Sequence, residues 1–130
     1  MSITAIYPTE MNRPKGHYAP ATVHNGTVYV SGQLPIDLNG QVQLGSIEEQ
    51  VELCLRNMEI ILRAAGSDLQ HVLKVNVFLA DIAHWPRFNE TFARIMGEHR
   101  PARIVVPCNS ITSAPRVMDS DIAICSYPFR

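Results

Sequence analysis

His99-Arg100-Pro101-Ala102-Arg103-Ile104-Val105-Val106-Pro107 is the stretch on which the reading of this chain turns. Its centre, Ile104-Val105-Val106, is β-branched throughout and bracketed by Pro101 and Pro107, which reads as a short buried strand. Arg103 stands one residue inside that strand's start. A guanidinium placed there cannot lose its water without an anionic partner or a wet cavity. No carboxylate lies within the stretch, so the partner must come from elsewhere in the fold or from a ligand. The planar fork of donors suits a carboxylate held through two hydrogen bonds. The plainer alternative is an Arg at a strand's edge, its stem packed and its head in water.

Working outward, the segment before the anchor opens with Trp85-Pro86 and predicts a helix with Pro in its first turn. Trp85, Phe88, Phe92, Ile95 and Met96 form its apolar stripe, with Asn89 beside them. Before that, His71 to Ala80 predicts a long strand. Leu73, Val75, Val77 and Leu79 would face the helices, and Val72, Lys74, Asn76, Phe78 and Ala80 the other way. Ser46-Ile47-Glu48-Glu49 has capping-box spacing and starts an amphipathic helix that Gly66 ends. Cys54 lies on that helix's apolar face as core filler. Nearer the N-terminus, Asn25-Gly26 between Ala21-Thr22-Val23-His24 and Thr27-Val28-Tyr29-Val30 is a hairpin signal. Ile3 to Tyr7 suits a first edge strand, and a last strand is expected from about Val117 to Tyr127.

The order β-β-β-α-β-α-β-β gives an α+β protein, a two-layer α/β sandwich with two helices on one face of the sheet. The opposite sheet face then needs cover, and self-association into a closed ring supplies it. The 130 residues read as a single domain, 1–130, without linker or repeat. A net charge of -1 with no Lys/Arg run points away from nucleic acid and anionic membrane surfaces. No apolar run is long enough to span a bilayer, and the N-terminus carries no signal-peptide pattern. Cys54, Cys108 and Cys125 form no CxxC pair and are read as reduced thiols, which places the protein in the cytoplasm.

His17, His24, His71, His84 and His99 are scattered without metal-ligand spacing, so no metal is expected and each is read as a surface residue. Ser31 sits in no nucleophile elbow. What remains is a set of polar residues at element ends: Tyr18, Ser31, Asn89, Arg103 and Asp119, with Gly32 allowing close approach of a ligand or backbone.

Gly16-His17-Tyr18, Val30-Ser31-Gly32-Gln33-Leu34-Pro35, Asn57 through Ala64-Ala65-Gly66, Val75-Asn76-Val77-Phe78-Leu79, Phe88-Asn89-Glu90-Thr91-Phe92 and Pro101-Ala102-Arg103, in this order, resemble the Rid (YjgF) family of reactive-intermediate deaminases. The resemblance runs from about Tyr18 to Cys125. It implies a chorismate-mutase-like fold with a mixed sheet of about six strands, assembled as a homotrimer with sites at the subunit interfaces. It further implies hydrolysis of small 2-imino and enamine acids, such as 2-aminoacrylate, to 2-keto acids and ammonia without metal or organic cofactor. By position, Arg103 would hold the substrate carboxylate and Tyr18 would close over it. Ser31, Gly32 and Asn89 would line the pocket. The backbone carbonyl of Val105 and the carboxylate of Asp119, with Asp121 as its competitor, would aim the water. Two departures stand out: Val105 replaces a frequent Cys, and Asp119 replaces a frequent Glu. A non-enzymatic metabolite-binding or holdase-like member of the same fold is the alternative, as is a deaminase of a larger, pathway-specific enamine. His17 beside Tyr18, where the family often has Pro, could mark a changed pocket mouth.

Overall fold

A computed structural model describes residues 2–108 and 122–128 of the chain. The hairpin forms where Asn25 and Gly26 supply positive φ, 50° and 78°. It joins β2 (Ala21–His24) to β3 (Thr27–Gln33), with His24 opposite Thr27. A short β1 (Thr4–Ile6) lines the outer side of β2. Helix α1 (Ile47–Ala64) starts as the sequence predicts: the Ser46 hydroxyl accepts the Glu49 N–H at 3.2 Å. Ile47, Val51, Cys54, Leu55, Met58, Ile61 and Leu62 are all buried along it. Burial pushes the Cys54 thiol well above its ordinary pKa, which keeps it inert.

A 3₁₀ turn, Leu69–His71, leads into β4 (Val72–Leu79); a second, Ile82–His84, leads into α2 (Trp85–Met96). The chain then returns as β5 (Ala102–Pro107), parallel to β4, and ends in β6 (Ile122–Pro128). The expected start of that last strand near Val117 lies outside the described residues. The sheet order is β1-β2-β3-β6-β4-β5, so the last strand enters between β3 and β4, antiparallel to both. One parallel pair in an otherwise antiparallel sheet makes it mixed, and two helices pack on it: the architecture is α+β. Val28, Val30, Val75, Val77, Leu79 and Ile124 from the sheet meet the inner stripes of α1 and α2 in one apolar core.

Two expectations change. The anchor strand is not buried: among the described residues β5 pairs with β4 alone and stands at the sheet's edge, which leaves Ile104 48% exposed. β-branched composition marks a strand but does not say how many neighbours it has. In β4, the pairing register shifts between Val72 and Lys74. The pleat is interrupted there, so Val72 is fully buried and Leu73 is 53% exposed, the reverse of simple alternation. Tyr29, Phe78 and Ile104 remain partly exposed at positions that alternate with the buried ones.

Candidate active site

Cross-strand pairing places Arg103. Val30 of β3 pairs with Ser126, Ser126 with Val75, and Val75 with Arg103, so these four occupy one row across the sheet. Val30 and Val75 are buried beneath the helices, and paired residues share a face. Arg103 therefore ends the row on the helix side, where the sheet stops and α2 overhangs it. Its guanidinium carbon lies 5.1 Å from the Phe92 ring centroid, 5.3 Å from Phe88 and 5.9 Å from Trp85. All three distances fall within cation–π reach. Phe88 and Phe92, themselves 5.4 Å apart, are buried, whereas Trp85 is 39% exposed.

The electrostatics match this position. Partial burial lowers the Arg103 pKa from its ordinary value, because desolvation disfavours the cation. Among the described residues no carboxylate forms an ion pair with it. Aromatic faces stabilise the guanidinium without consuming its in-plane donors. The outcome lies between the two sequence readings: the head is neither free in water nor paired with an anion within the described chain. The sequence places Trp85, Phe88 and Phe92 in the apolar stripe of α2. Their second role was legible in the βαβ order, since a helix between two parallel strands lays its inner face over them.

Asn89 shares this helix face, four residues after Trp85 and three before Phe92, and is partly buried. Val105, two residues beyond Arg103 on the same side, is partly buried against the core. His99, read as a surface residue, is half-buried and its Nε2 lies 2.7 Å from the Val72 carbonyl oxygen. It ties the entry of β5 to the start of β4. Asp119 and its competitor Asp121 lie outside the described residues.

Tyr18, Ser31 and Gly32 form a second group, at β3 and the loop before β2. The Ser31 hydroxyl donates to the Ala19 carbonyl at 2.7 Å, and the Ser31 N–H donates to Pro20 at 2.9 Å. Ser31 thus clips this loop to the sheet, and its oxygen keeps the capacity to accept a bond. Gln33 donates from Nε2 to the Ser31 carbonyl at 2.9 Å, fixing the strand end. A Cβ at Gly32 would meet nothing within 4 Å, which agrees with space left for a ligand. Tyr18 is 56% exposed and folds its ring against Gly16, where a Cβ would come within 2.7 Å of Cε1. Strands β6 and β4 separate this group's strand from β5, about 14 Å at ordinary strand spacing. The described chain therefore brings Arg103, Asn89 and Val105 together, and Tyr18, Ser31 and Gly32 together, as two half-sites. Among the described residues no cluster of His, Cys, Asp and Glu is suited to a metal.

Comparison with known proteins identifies the family. The family model described as Endoribonuclease L-PSP matches residues 9–123. The human 2-iminobutanoate/2-iminopropanoate deaminase is 34% identical over 110 residues, covering 84% of this chain and 80% of that protein. A RutC family protein of Pyrococcus horikoshii is 36% identical over 94% of this chain and 95% of its own length. The crystal structure of RidA from an Antarctic Psychrobacter superposes with a TM-score of 0.87 at 30% identity, covering 98% and 99% of the two chains. The chain belongs to the endoribonuclease L-PSP family, also called the YjgF or Rid family.

Proposed function

We propose that the protein is a hydrolytic deaminase of reactive 2-imino and enamine acids, small substrates such as 2-aminoacrylate and its tautomer 2-iminopropanoate. Water adds to the imine carbon and the carbinolamine collapses to the 2-keto acid and ammonia. One observation carries the reading: Arg103 is a partly desolvated cation seated on three aromatic rings, with no anionic partner among the described residues. A substrate carboxylate completes such a site. A charge-assisted pair there contributes about 1.5–3 kcal/mol.

The remaining parts follow by position. The Val105 carbonyl and Asp119 would aim the water, and Tyr18, Ser31, Gly32 and Asn89 would enclose the substrate. Holding water and imine in line accounts for much of a modest acceleration, and the step calls for neither metal nor organic cofactor. The two half-sites are united if a second copy supplies one of them, which is the reason to propose a homotrimer of chorismate-mutase-like form with clefts between subunits. The partly exposed Tyr29, Phe78 and Ile104 suit such packing. A cytoplasmic protein clearing by-products of pyridoxal-phosphate dehydratases fits this chemistry. RNA cleavage, the activity in the family's description, calls for a basic groove, which a net charge of -1 without Lys/Arg runs does not favour.

The test couples an amino-acid oxidase, which generates 2-imino acids in situ, to semicarbazide trapping of whatever survives. Faster imine loss with the wild type and none with Arg103→Ala is expected. Full activity in Arg103→Ala would overturn the carboxylate-clamp mechanism.

A further inference from the structure

We propose that the loop before β2 carries a second anion subsite, centred on Arg13, which selects 2-imino acids bearing a second acidic group on the side chain. The inference rests on the deaminase reading and names its substrate class. A cavity of about 330 Å³ opens between Tyr7, Arg13, Gly16, His17 and Tyr18, large enough for a small carboxylate. The Arg13 guanidinium carbon stands 4.1 Å over the Tyr7 ring centroid. Stacking restrains the fork of donors and leaves its edges available to an anion. Arg13 forms no ion pair among the described residues.

The local charge has one sign. From Met11 to Pro20 the charged or protonatable side chains other than Tyr18 are Arg13, Lys15 and His17, all basic. The acid nearest in sequence, Glu10, accepts a hydrogen bond from the Thr9 hydroxyl at 3.2 Å and does not line the cavity. Such a cavity repels ammonium groups. A carboxylate finds an oriented partner in it.

Tyr18 links this cavity to the substrate. Its ring lines the cavity, and the same residue is assigned to cover the substrate held by Arg103 of a second copy. A substrate beneath Tyr18 therefore has the Arg13 cavity as its neighbour. A side chain ending in a carboxylate reaches it, whereas the methyl or ethyl of the smallest imino acids does not.

The test uses unreactive product-like probes. Titration calorimetry compares 2-oxoglutarate with 2-oxobutanoate for the wild type, Arg13→Ala, Arg13→Lys and Arg103→Ala. The wild type should prefer 2-oxoglutarate about tenfold, equivalent to about 1.4 kcal/mol. That ratio should fall to near one in Arg13→Ala, recover in part in Arg13→Lys, and be accompanied by weaker binding of both acids in Arg103→Ala. A ratio near one in the wild type, or a tenfold ratio kept by Arg13→Ala, overturns the inference. The oxidase assay separates this from the parent reading. Arg103-dependent imine loss without the dicarboxylate preference refutes the subsite alone. An Arg13-dependent preference without imine loss supports the subsite and refutes the deaminase.

Discussion

Arg103 and Arg13 both rest on aromatic rings, but they are held there by different means. Arg103 is fixed from both sides by regular structure: a strand sets its row, and a helix delivers rings at positions 85, 88 and 92. Two of those rings belong to the core. Arg13 lies on the single, partly exposed ring of Tyr7, in a loop secured to β3 through Ser31. One half-site is thus built into the fold's stability and the other is attached to it. The difference implies that loss of the buried rings beneath Arg103 acts on stability and chemistry together, while substitution of Tyr7 or Gly16 leaves folding nearly unchanged.

The strongest challenge to this contrast is Phe88→Ala. It removes a fully buried ring and should cost about 3–5 kcal/mol in denaturant unfolding, with loss of activity as the Arg103 platform collapses. Tyr7→Ala, on the other side, should stay within about 0.5 kcal/mol of the wild type. A similar loss from both would end the comparison. Arg103→Met comes next. It should lower kcat/KM by about 10- to 100-fold through loss of the carboxylate pair. Stability should hold or rise, because a partly desolvated cation is replaced by an apolar chain of similar length. Clear destabilisation of this variant would show that the guanidinium is a structural rather than a ligand-directed charge.

Ser31→Ala tests the attachment itself. It releases the Ala19 carbonyl, should cost about 1 kcal/mol, and should raise hydrogen exchange in residues 13–19 while leaving α2 protected. Uniformly faster exchange would contradict the separation of the half-sites. Gly16→Ala is the mildest change. Its Cβ would press on the Tyr18 ring, so KM should rise by a few-fold (about 3-fold corresponds to roughly 0.65 kcal/mol) with an unchanged melting temperature. An unaltered KM would remove Tyr18 from the substrate's enclosure.

What the sequence disclosed follows the range of the interactions. The Asn25-Gly26 hairpin and the Ser46 cap of α1 are decided within a few residues, and both appear where the motifs predict them. The exposure of β5 depends on strand order, which depends on β6 entering between β3 and β4 from far along the chain. Nothing within His99 to Pro107 encodes that. The inversion at Val72 and Leu73 arises from a register shift against β6, again a non-local cause. At the site, residue types pointed to Arg103, Asn89, Ser31 and Tyr18. The sequence did not disclose that the described chain divides them into two groups, because that division is a distance across the sheet. The rings under Arg103 were visible as a stripe, but their partner lies on the next strand.

The central position of β6 has a consequence for synthesis. Until residues 122–128 leave the ribosome, β1–β3 and β4–β5 have no strand between them, and the edges of β3 and β4 that will receive it stand open. Ile124, completely buried in the finished core, follows every other described core residue along the chain. The nascent chain thus carries two unpaired strand edges until β6 emerges, a state prone to pairing with other chains. Completion of the sheet waits for β6, and loss of that strand leaves two fragments of a sheet rather than a smaller one.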